Sequence, residues 1–538
     1  MEAKPILMAK IILSVVVGGF IVLLVHLFNL LILKPKLLRA KLQRQGIRGP
    51  SPSFLFGNIP EMKRIQLQLQ LQLHSTPRAT STSTTKEDVS ESDHPVAIAH
   101  NWPSTLFPHL ERWRNQYGPI FLYSTGNIQL LCITDPEMVK EISLCTSLSL
   151  GKPSYLSKDR GPLLGRGILS SSGPIWAHQR KIIAPELYID KVKGMVNLMV
   201  DSTNLMLRSW ESRIENEAGI ANIKIDEDLR SLSADIISRA CFGSNYSQGE
   251  EIFLKLNTLQ RIMSKGNVGV PGFRFLPSKN NRAMWKIEKE INSMILKVVK
   301  QRNEASYEKD LLQMILEGAK SYNDYYGPST DSFRDNFIVD NCKNIYFAGH
   351  ETTAITASWS LMLLAAHLEW QARARAEVVE ICGDSLPDAN MLRNIKTLTI
   401  VIQETLRLYP PAAFVIREAL ENITFKDIMI SKGINVQIPI PILQRHCDLW
   451  GSDAHKFNPE RFAHGIVGAC KTPRAYLPFG VGSRVCAGQH FAMTELKVIL
   501  SLILSKFCFS LSPAYRHSTA FKLVIVPEHG VTLCVRKA

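Results

Sequence analysis

The chain has 538 residues, of which 45% are hydrophobic and 21% are charged. This composition is that of a globular protein and excludes disordered, collagen-like and mucin-like chains. The 63 Lys and Arg residues against 48 Asp and Glu give a net charge of +15. No aromatic-rich basic stripe accompanies that charge, so the sequence argues against a nucleic-acid partner.

Residues 11–33 form an apolar segment that contains no Asp, Glu, Lys or Arg. As a helix, a segment of this length spans ~30 Å of hydrocarbon, whereas a cleaved signal peptide has a shorter apolar region. Six basic residues follow within residues 34–48, which places that side in the cytoplasm. The sequence therefore predicts a short lumenal N-terminus over 1–10 and a single transmembrane anchor over 11–33. A buried core helix is disfavoured by the one-sided basic flank.

Two segments separate the anchor from the domain. Residues 34–64 are basic and rich in Pro and Gly, which predicts a linker with a stiff bend near 46–52. Residues 65–73 read IQLQLQLQL, an alternation that predicts an amphipathic edge strand, and a Ser/Thr-rich run follows. We interpret 65–99 as a low-complexity surface insertion and 100–538 as one large domain.

Helical periodicity dominates the domain. Residues 335–366 contain no proline and predict one long helix, and residues 491–507 place apolar residues on one helical face. The strand-like runs are short and lie at 119–124, 128–133, 434–440, 521–526 and 531–535. The predicted fold class is mainly α with minor β-sheets.

Cys486 stands out among ten cysteines that form no Cys-x-x-Cys pair, a pattern that excludes zinc ribbons and thioredoxin-type motifs. It ends the Gly-rich run FGVGSRVCAG at 479–488, just before the helix predicted at 491–507. Backbone N–H groups and the positive end of that helix favour a thiolate. The glycines let the backbone approach a flat cofactor closely, and their spacing does not fit the dinucleotide-binding fingerprint.

Three further windows carry polar side chains at helical spacing. Glu351 and Thr352 lie within the long helix, where a hydroxyl beside a carboxylate can relay protons. The segment does not fit a zinc-protease helix, because Ala354 stands where that motif needs its second histidine. Glu404 and Arg407 share a helix face, a spacing usual for salt bridges. Trp176 and Arg180 lie one turn apart, which suits binding of a carboxylate. Each window alone is typical of ordinary structural helices.

In this order, with Glu404 82 residues before Cys486 and Arg461 25 before it, the windows resemble the cytochrome P-450 superfamily, the haem-thiolate monooxygenases. The resemblance covers about residues 46–536. It implies a haem b cofactor with Cys486 as the axial thiolate on iron, and Thr352 with Glu351 as the oxygen-activating pair. It also implies supporting roles: haem contacts from Trp176, Arg180, Arg417, Arg484, Phe479 and Gly480, room for oxygen at Ala348 and Gly349, and a structural network of Glu404, Arg407 and Arg461.

The chain departs from this family pattern at one place. The family commonly reads His-Arg-Asp-Pro before Trp-Gly, whereas here Gln444 stands at the usual histidine and begins the run Gln-Arg-His-Cys. We expect an altered contact at the haem edge and unchanged thiolate and oxygen chemistry.

The stretches GIRGPSPSFLFGNIPEM, DNCKNIYFAGHETTA and VIQETLRLYPPAA resemble the plant branch that oxidises gibberellins and ent-kaurenoid relatives. That resemblance implies insertion of one oxygen atom from O2 into an apolar diterpenoid acid at the endoplasmic reticulum membrane. The chain has no flavin or nicotinamide fingerprint, so NADPH–cytochrome P-450 reductase is the expected electron donor. Close relatives of the branch oxidise steviol-type diterpenoids or pentacyclic triterpenoids.

Two further hypotheses concern the type of protein. One is a haem-thiolate isomerase or dehydratase that needs no reductase, and the second is a non-catalytic terpenoid-binding membrane protein. The intact Glu351–Thr352 pair disfavours the isomerase or dehydratase, which usually lacks it. The presence of that pair together with Cys486 and the Glu404–Arg407 pair disfavours a protein that has lost turnover.

Overall fold

A computed structural model gives the structure of residues 3–75, 98–243, 246–264, 270, 272, 275–304, 310–326 and 331–538. Residues 76–97, which make up most of the insertion expected over 65–99, lie outside these ranges. The described part of the chain is mainly helical with small sheets, so the predicted fold class is confirmed.

The helices of the N-terminal half are α1 (Ala3–Phe28), α2 (Lys34–Gln43), α3 (Ile59–Ser75), α4 (Trp102–Leu106), α5 (Pro108–Tyr117), α6 (Pro136–Leu144), α7 (Ser154–Asp159), α8 (Gly161–Leu164), α9 (Gly173–Ile183), α10 (Ile189–Lys193), α11 (Val196–Asn216), α12 (Ile225–Phe242) and α13 (Tyr246–Ser264). Those of the C-terminal half are α14 (Lys279–Glu304), α15 (Leu311–Tyr326), α16 (Asp331–Ala366), α17 (Leu368–Cys382), α18 (Ala389–Asn394), α19 (Thr397–Leu408), α20 (Ile440–Leu443), α21 (Cys447–Trp450), α22 (Gly465–Ala469) and α23 (Gln489–Lys506).

The strands are β1 (Ile120–Thr125), β2 (Ile128–Ile133), β3 (Leu150–Gly151), β4 (Ile220–Lys224), β5 (Phe414–Ala419), β6 (Ile423–Phe425), β7 (Ile428–Ile430), β8 (Asn435–Pro439), β9 (Phe507–Leu511), β10 (Thr519–Phe521), β11 (Ile525–Pro527) and β12 (Thr532–Lys537). They form a five-stranded sheet in the order β1-β2-β8-β5-β3, a three-stranded sheet β4-β12-β9, and the pairs β6-β7 and β10-β11. In the five-stranded sheet only β2 and β8 pair in parallel.

The predicted strands at 119–124, 128–133, 434–440 and 531–535 are confirmed within about two residues at each end, as β1, β2, β8 and β12. The run at 521–526 is different, because it holds the end of β10, a turn and the start of β11. Leu523 has a left-handed backbone with φ of 67°, and the chain reverses there instead of continuing as one strand.

Helix α16 is the central element of the core and confirms the long helix predicted over 335–366. It packs against α12, α15, α19 and α23, and Trp359 and residues 361–364 have no exposed surface. A helix that is packed against neighbours over most of its surface needs no amphipathic pattern. This burial explains why apolar residues follow no single face along α16.

The apolar N-terminal segment is helical, with a π-helical turn at Asn29–Leu33 between α1 and α2. The helix from Lys10 to Gln43 is long and apolar enough to cross a membrane, and none of its most apolar window is covered by the rest of the described chain. An exposed apolar surface of this size marks a membrane or interaction site, which is consistent with membrane anchoring.

The basic segment that follows the apolar helix packs on the domain. It forms α2, in which Leu42 has no exposed surface. Arg39 donates hydrogen bonds to the carbonyl oxygens of Gly49 (3.2 Å) and Pro50 (2.6 Å). These contacts fix the chain direction directly after the anchor.

The edge strand expected at residues 65–73 is wrong, because these residues belong to helix α3. Leu and Gln are good helix formers, and no β-branched residue interrupts residues 66–73. Pro60 also occupies the first turn, a favourable place for proline. Ile65 is buried, and Gln66 donates to the Thr105 carbonyl oxygen (2.9 Å).

Candidate functional site

The Cys486 loop has a backbone that only glycine adopts readily at two positions. Gly480 and Gly482 have φ of 77° and 68°, which is the left-handed region. The chain then turns back, so that the Cys486 N–H donates to the Phe479 carbonyl oxygen at 2.8 Å. The cysteine therefore lies next to Phe479 and shortly before α23, as the sequence predicts.

The Cys486 side chain lies in a recess of the protein. It is exposed to solvent, yet burial is the largest influence on the thiol and raises its pKa, while the Gly488 backbone hydrogen bond and Arg180 lower it. From the sequence we expect only the contributions that favour the thiolate and lower the pKa. In the structure the effect of burial is larger, so the pKa of Cys486 is raised overall. Coordination to a metal cation deprotonates a thiol directly.

A group of cationic side chains lies beside the cysteine loop. Arg180 donates to the Val485 carbonyl oxygen at 2.7 Å, and Arg417 donates to the Val481 carbonyl oxygen at 3.3 Å. The Arg484 guanidinium lies 4.2 Å from the centre of the Trp176 ring. The structure thus brings together Trp176, Arg180, Arg417 and Arg484, four of the residues that are expected to contact the haem.

Within this cationic group, the guanidinium of Arg484 stands out by its hydrogen bonding. All three side-chain nitrogens of Arg484 are buried, and none has a hydrogen-bond partner among the described residues. Burial, Arg417 and Arg180 together lower the pKa of Arg484 to about 9, and burial lowers that of Arg417 to about 10. Buried cations need an anionic partner, and carboxylates suit guanidinium groups through paired hydrogen bonds.

These observations fit a haem group. Its two carboxylates would supply anionic partners for Arg180, Arg417 and Arg484, and Cys486 would bind its iron. Among the described residues no group of three or more His, Cys, Asp and Glu side chains could hold a metal ion.

One face of the buried helix α16 remains partly accessible at Ala348 and Thr352, one turn apart, while Glu351 and Thr353 are buried. Thr352 donates its hydroxyl to the Ala348 carbonyl oxygen at 2.7 Å. Threonine commonly makes this bond back to the preceding turn inside a helix. It leaves the hydroxyl oxygen able to accept a hydrogen bond from the open side.

Gly349 serves helix packing, and its expected role in leaving room for oxygen stays a prediction. A side-chain carbon at Gly349 would lie 2.5 Å from the Ile237 Cδ1 atom of α12. The missing side chain therefore lets α12 approach α16 closely. Ala348, on the accessible face, is left as the small residue next to Thr352.

Glu351 belongs to an ion-pair network with α12. Arg230 lies 3.3 Å from Glu351 and 3.1 Å from Asp226. The side chain of Glu351 is 3% exposed and that of Arg230 is 22% exposed, so Arg230 links the buried carboxylate to the protein surface. Burial is the largest single influence and lowers the pKa of Arg230, but the charges and hydrogen bonds of Glu351 and Asp226 together outweigh it and raise the pKa.

Glu404 and Arg407 form a fully buried ion pair with two hydrogen bonds, of 2.6 and 2.7 Å. Arg407 also donates to three backbone carbonyl oxygens, those of Gln444, Ala454 and Lys456. The third predicted member, Arg461, lies 3.8 Å from Glu404. The structure therefore brings the expected network together.

Gln444 lies in that network, and the altered contact at the haem edge stays a prediction. It has no exposed surface, and its side-chain amide donates to the carbonyl oxygens of Leu406 and Arg407 at 3.0 and 2.9 Å. Those carbonyls end helix α19, where no helical partner is available.

Glu495 is a buried carboxylic acid between three helices. Ser233 of α12 donates to it at 2.7 Å, and burial raises its pKa to about 8, more than the hydrogen bonds from Ser233 and Thr353 lower it. Because an unfolded glutamate titrates near ~4.3, folding favours the protonated form.

We therefore expect the contribution of Glu495 to stability to be complete below about pH 4.3 and to be lost as the pH rises to about 8. Glu495→Gln stays neutral and should be more stable than the parent by about 1–3 kcal/mol near the upper end of that range. Urea unfolding between these pH values measures the difference. Glu111→Gln, at an exposed position, is the control, and equal pH profiles of the parent and Glu495→Gln would contradict the assignment.

Sequence reasoning missed two cations at the site. Lys152 lies near Arg417 and Arg484, and burial followed by these two charges lowers its pKa to about 7. Its neighbours in the sequence, Gly151 and Pro153, do not indicate that Lys152 lies at this site. Arg230 has the spacing of a surface pair with Asp226, and its partner Glu351 is 121 residues away.

Comparisons with known proteins agree with this geometry. The Cytochrome P450 family model matches residues 96–535. The chain is 52% identical to Cytochrome P450 714C2 of Oryza sativa subsp. japonica, with 96% of each chain covered. It is 42% identical to Cytochrome P450 714A2 of Arabidopsis thaliana over 99% of this chain and 100% of that one. The crystal structure of the cytochrome P450DA heme domain superposes with a TM-score of 0.69 at 24% identity, covering 81% of this chain and 93% of that one.

Proposed function

The chain belongs to the cytochrome P450 family of monooxygenases, and from that premise we propose that it inserts one oxygen atom from O2 into a gibberellin or ent-kaurenoid acid. The observation that carries the catalytic part is the exposed Cys486 side chain beside three arginines, of which Arg484 has no hydrogen-bond partner among the described residues. A haem held there would supply an iron centre that cleaves dioxygen, aided by electron donation from the thiolate.

In this proposal the residues around the cysteine hold the cofactor. Arg180, Arg417 and Arg484 bind the haem carboxylates, and Trp176 packs on Arg484 and keeps its guanidinium in place. Phe479 and Gly480 shape the loop that presents the sulfur. Lys152 adds a fourth cation to the same group.

Glu351 and Thr352 deliver protons to the reacting oxygen on the open face of α16. The Thr352 hydroxyl is anchored at the Ala348 carbonyl oxygen, so its orientation is fixed before the reaction. Arg230 holds the Glu351 carboxylate and reaches toward solvent. We assign Arg230 as a positioning residue that connects Glu351 to the proton supply at the surface.

Thr352→Ala should keep the absorption spectrum of the thiolate-ligated haem, while product formed per NADPH falls about tenfold or more. The reducing equivalents should appear as hydrogen peroxide, because proton delivery is no longer controlled. Thr356→Ala is the matched control, since Thr356 makes the same kind of bond, to the Thr352 carbonyl oxygen at 2.8 Å. Fully coupled turnover in Thr352→Ala would contradict the proposed relay.

The substrate class rests on the sequence resemblance to the gibberellin and ent-kaurenoid branch. The proposed electron donor is the membrane-bound NADPH–cytochrome P-450 reductase, and the proposed location is the endoplasmic reticulum, with the domain on the cytosolic side. The exposed apolar helix Lys10–Gln43 supports the membrane part of this proposal. The short apolar segment around Ala413 and Val415, both buried, suits a compact hydrocarbon skeleton.

A feeding assay tests the proposed function. The full chain is co-expressed with a plant reductase and supplied in parallel with gibberellins, ent-kaurenoic acid and a pentacyclic triterpenoid, and products are identified by mass spectrometry. A gibberellin or ent-kaurenoid that gains one oxygen is the expected result. Oxidation of the triterpenoid alone would overturn the substrate assignment, and absence of any oxygenated product from spectrally intact enzyme would overturn the activity.

A further inference from the structure

Gln444 connects two parts of the protein that meet beneath the proposed haem site. On one side, its amide nitrogen donates to the carbonyl oxygens of Leu406 and Arg407 at the end of α19. On the other side, its amide oxygen accepts a hydrogen bond from the Leu477 N–H at 2.8 Å. One fully buried side chain thus satisfies three backbone groups at once.

The Leu477 side of this connection leads directly to the cysteine loop. The Leu477 carbonyl oxygen accepts from the Gly480 N–H at 3.0 Å, and the next bond in the loop joins the Cys486 N–H to the Phe479 carbonyl oxygen at 2.8 Å. A displacement of Leu477 would therefore shift the start of the turn that holds the sulfur. The α19 side is rigid, because Arg407 and Glu404 form a buried ion pair there.

We infer that Gln444 is a positioning residue for the Cys486 sulfur, which it fixes by tying the loop to the end of α19. This inference rests on the proposed role of Cys486 as the iron ligand. An amide supplies two N–H donors and an acceptor at every pH. A neutral imidazole, the group usual at this position in the family, supplies one donor and one acceptor, and so can replace only two of the three bonds made here.

The test compares Gln444→Met with a matched variant elsewhere. Gln371 is also buried, donates to the carbonyl oxygens of Leu364 (3.1 Å) and Phe509 (2.8 Å), and accepts from the Phe509 N–H (3.2 Å). Gln371→Met therefore removes a similar set of bonds at β9. The readout is the fraction of the ferrous carbon-monoxide complex that keeps the long-wavelength band of a thiolate-ligated haem.

Gln444→Met should raise the fraction without that band about tenfold or more, because it removes three buried hydrogen bonds to backbone groups. Gln371→Met should lower the urea midpoint and leave the band intact. Gln444→His should restore part of the band, because it keeps one donor and one acceptor. Equal fractions in the two methionine variants would overturn the inference.

If Gln444→Met does not accumulate as folded protein, Gln444→His carries the test, and a band as complete as in the parent would overturn the inference. A parent protein that itself lacks the band would instead remove Cys486 from its proposed role, and the positioning role of Gln444 would fall with it. The two failures are therefore distinguishable in one series of spectra.

Discussion

Cys486→Ser should lose the long-wavelength carbon-monoxide band completely and show no detectable turnover. A serine hydroxyl stays protonated where a thiol ionises, so it cannot replace the thiolate as an electron-donating iron ligand. The backbone of the loop is set by Gly480, Gly482 and the Cys486 N–H, none of which this change alters. We therefore expect the loss to be one of ligation and chemistry, with the fold retained.

The control for this variant is another cysteine at the surface. Cys447 lies in α21 and is exposed, and Cys447→Ser should keep the band and the activity of the parent. Circular dichroism and urea unfolding of both variants check that the fold is retained. An unchanged band in Cys486→Ser would show that a different residue binds the iron.

The elements that were predicted best from the sequence are those determined by residues that are close together along the chain. The turn with glycines at 480 and 482 needs a left-handed backbone, and such positions are visible as Gly in the sequence. Helix α23 shows its apolar face at the spacing of a helix. The long helix was predicted from its length and lack of proline, since a helix that is buried over most of its surface carries no amphipathic pattern.

The failures come from contacts that local patterns do not record. The alternation at residues 65–73 has the period of a strand, yet the helix propensity of Leu and Gln and the burial of Ile65 determine a helix. Gly349 carries no sign that Ile237, more than a hundred residues earlier, fills the space beside it. Lys152 and Arg230 join the site only through the fold, so spacing in the sequence could not identify them.

Arg407→Lys should reduce the free energy of unfolding by about 3–5 kcal/mol, because it leaves several buried oxygen acceptors without a hydrogen-bond donor. The Arg407 guanidinium bonds both oxygens of Glu404 and also reaches three backbone carbonyl oxygens. A lysine keeps the charge but offers a single ammonium group, which cannot span these acceptors. Because domains are stable by only about 5–15 kcal/mol, we expect much less folded, haem-loaded protein.

An exposed pair of the same chemistry provides the control for Arg407. Arg373 lies 3.1 Å from Glu460, and both side chains are more than half exposed, at 54% and 56%. Solvent screens such a pair, so Arg373→Lys should change the free energy of unfolding by only about 0–1 kcal/mol. Urea unfolding of the two lysine variants measures the contrast. Equal losses of unfolding free energy in the two variants would mean that the burial of Glu404 and Arg407 does not determine the size of the loss. The buried network would then not be what stabilises the end of α19 near the cysteine loop.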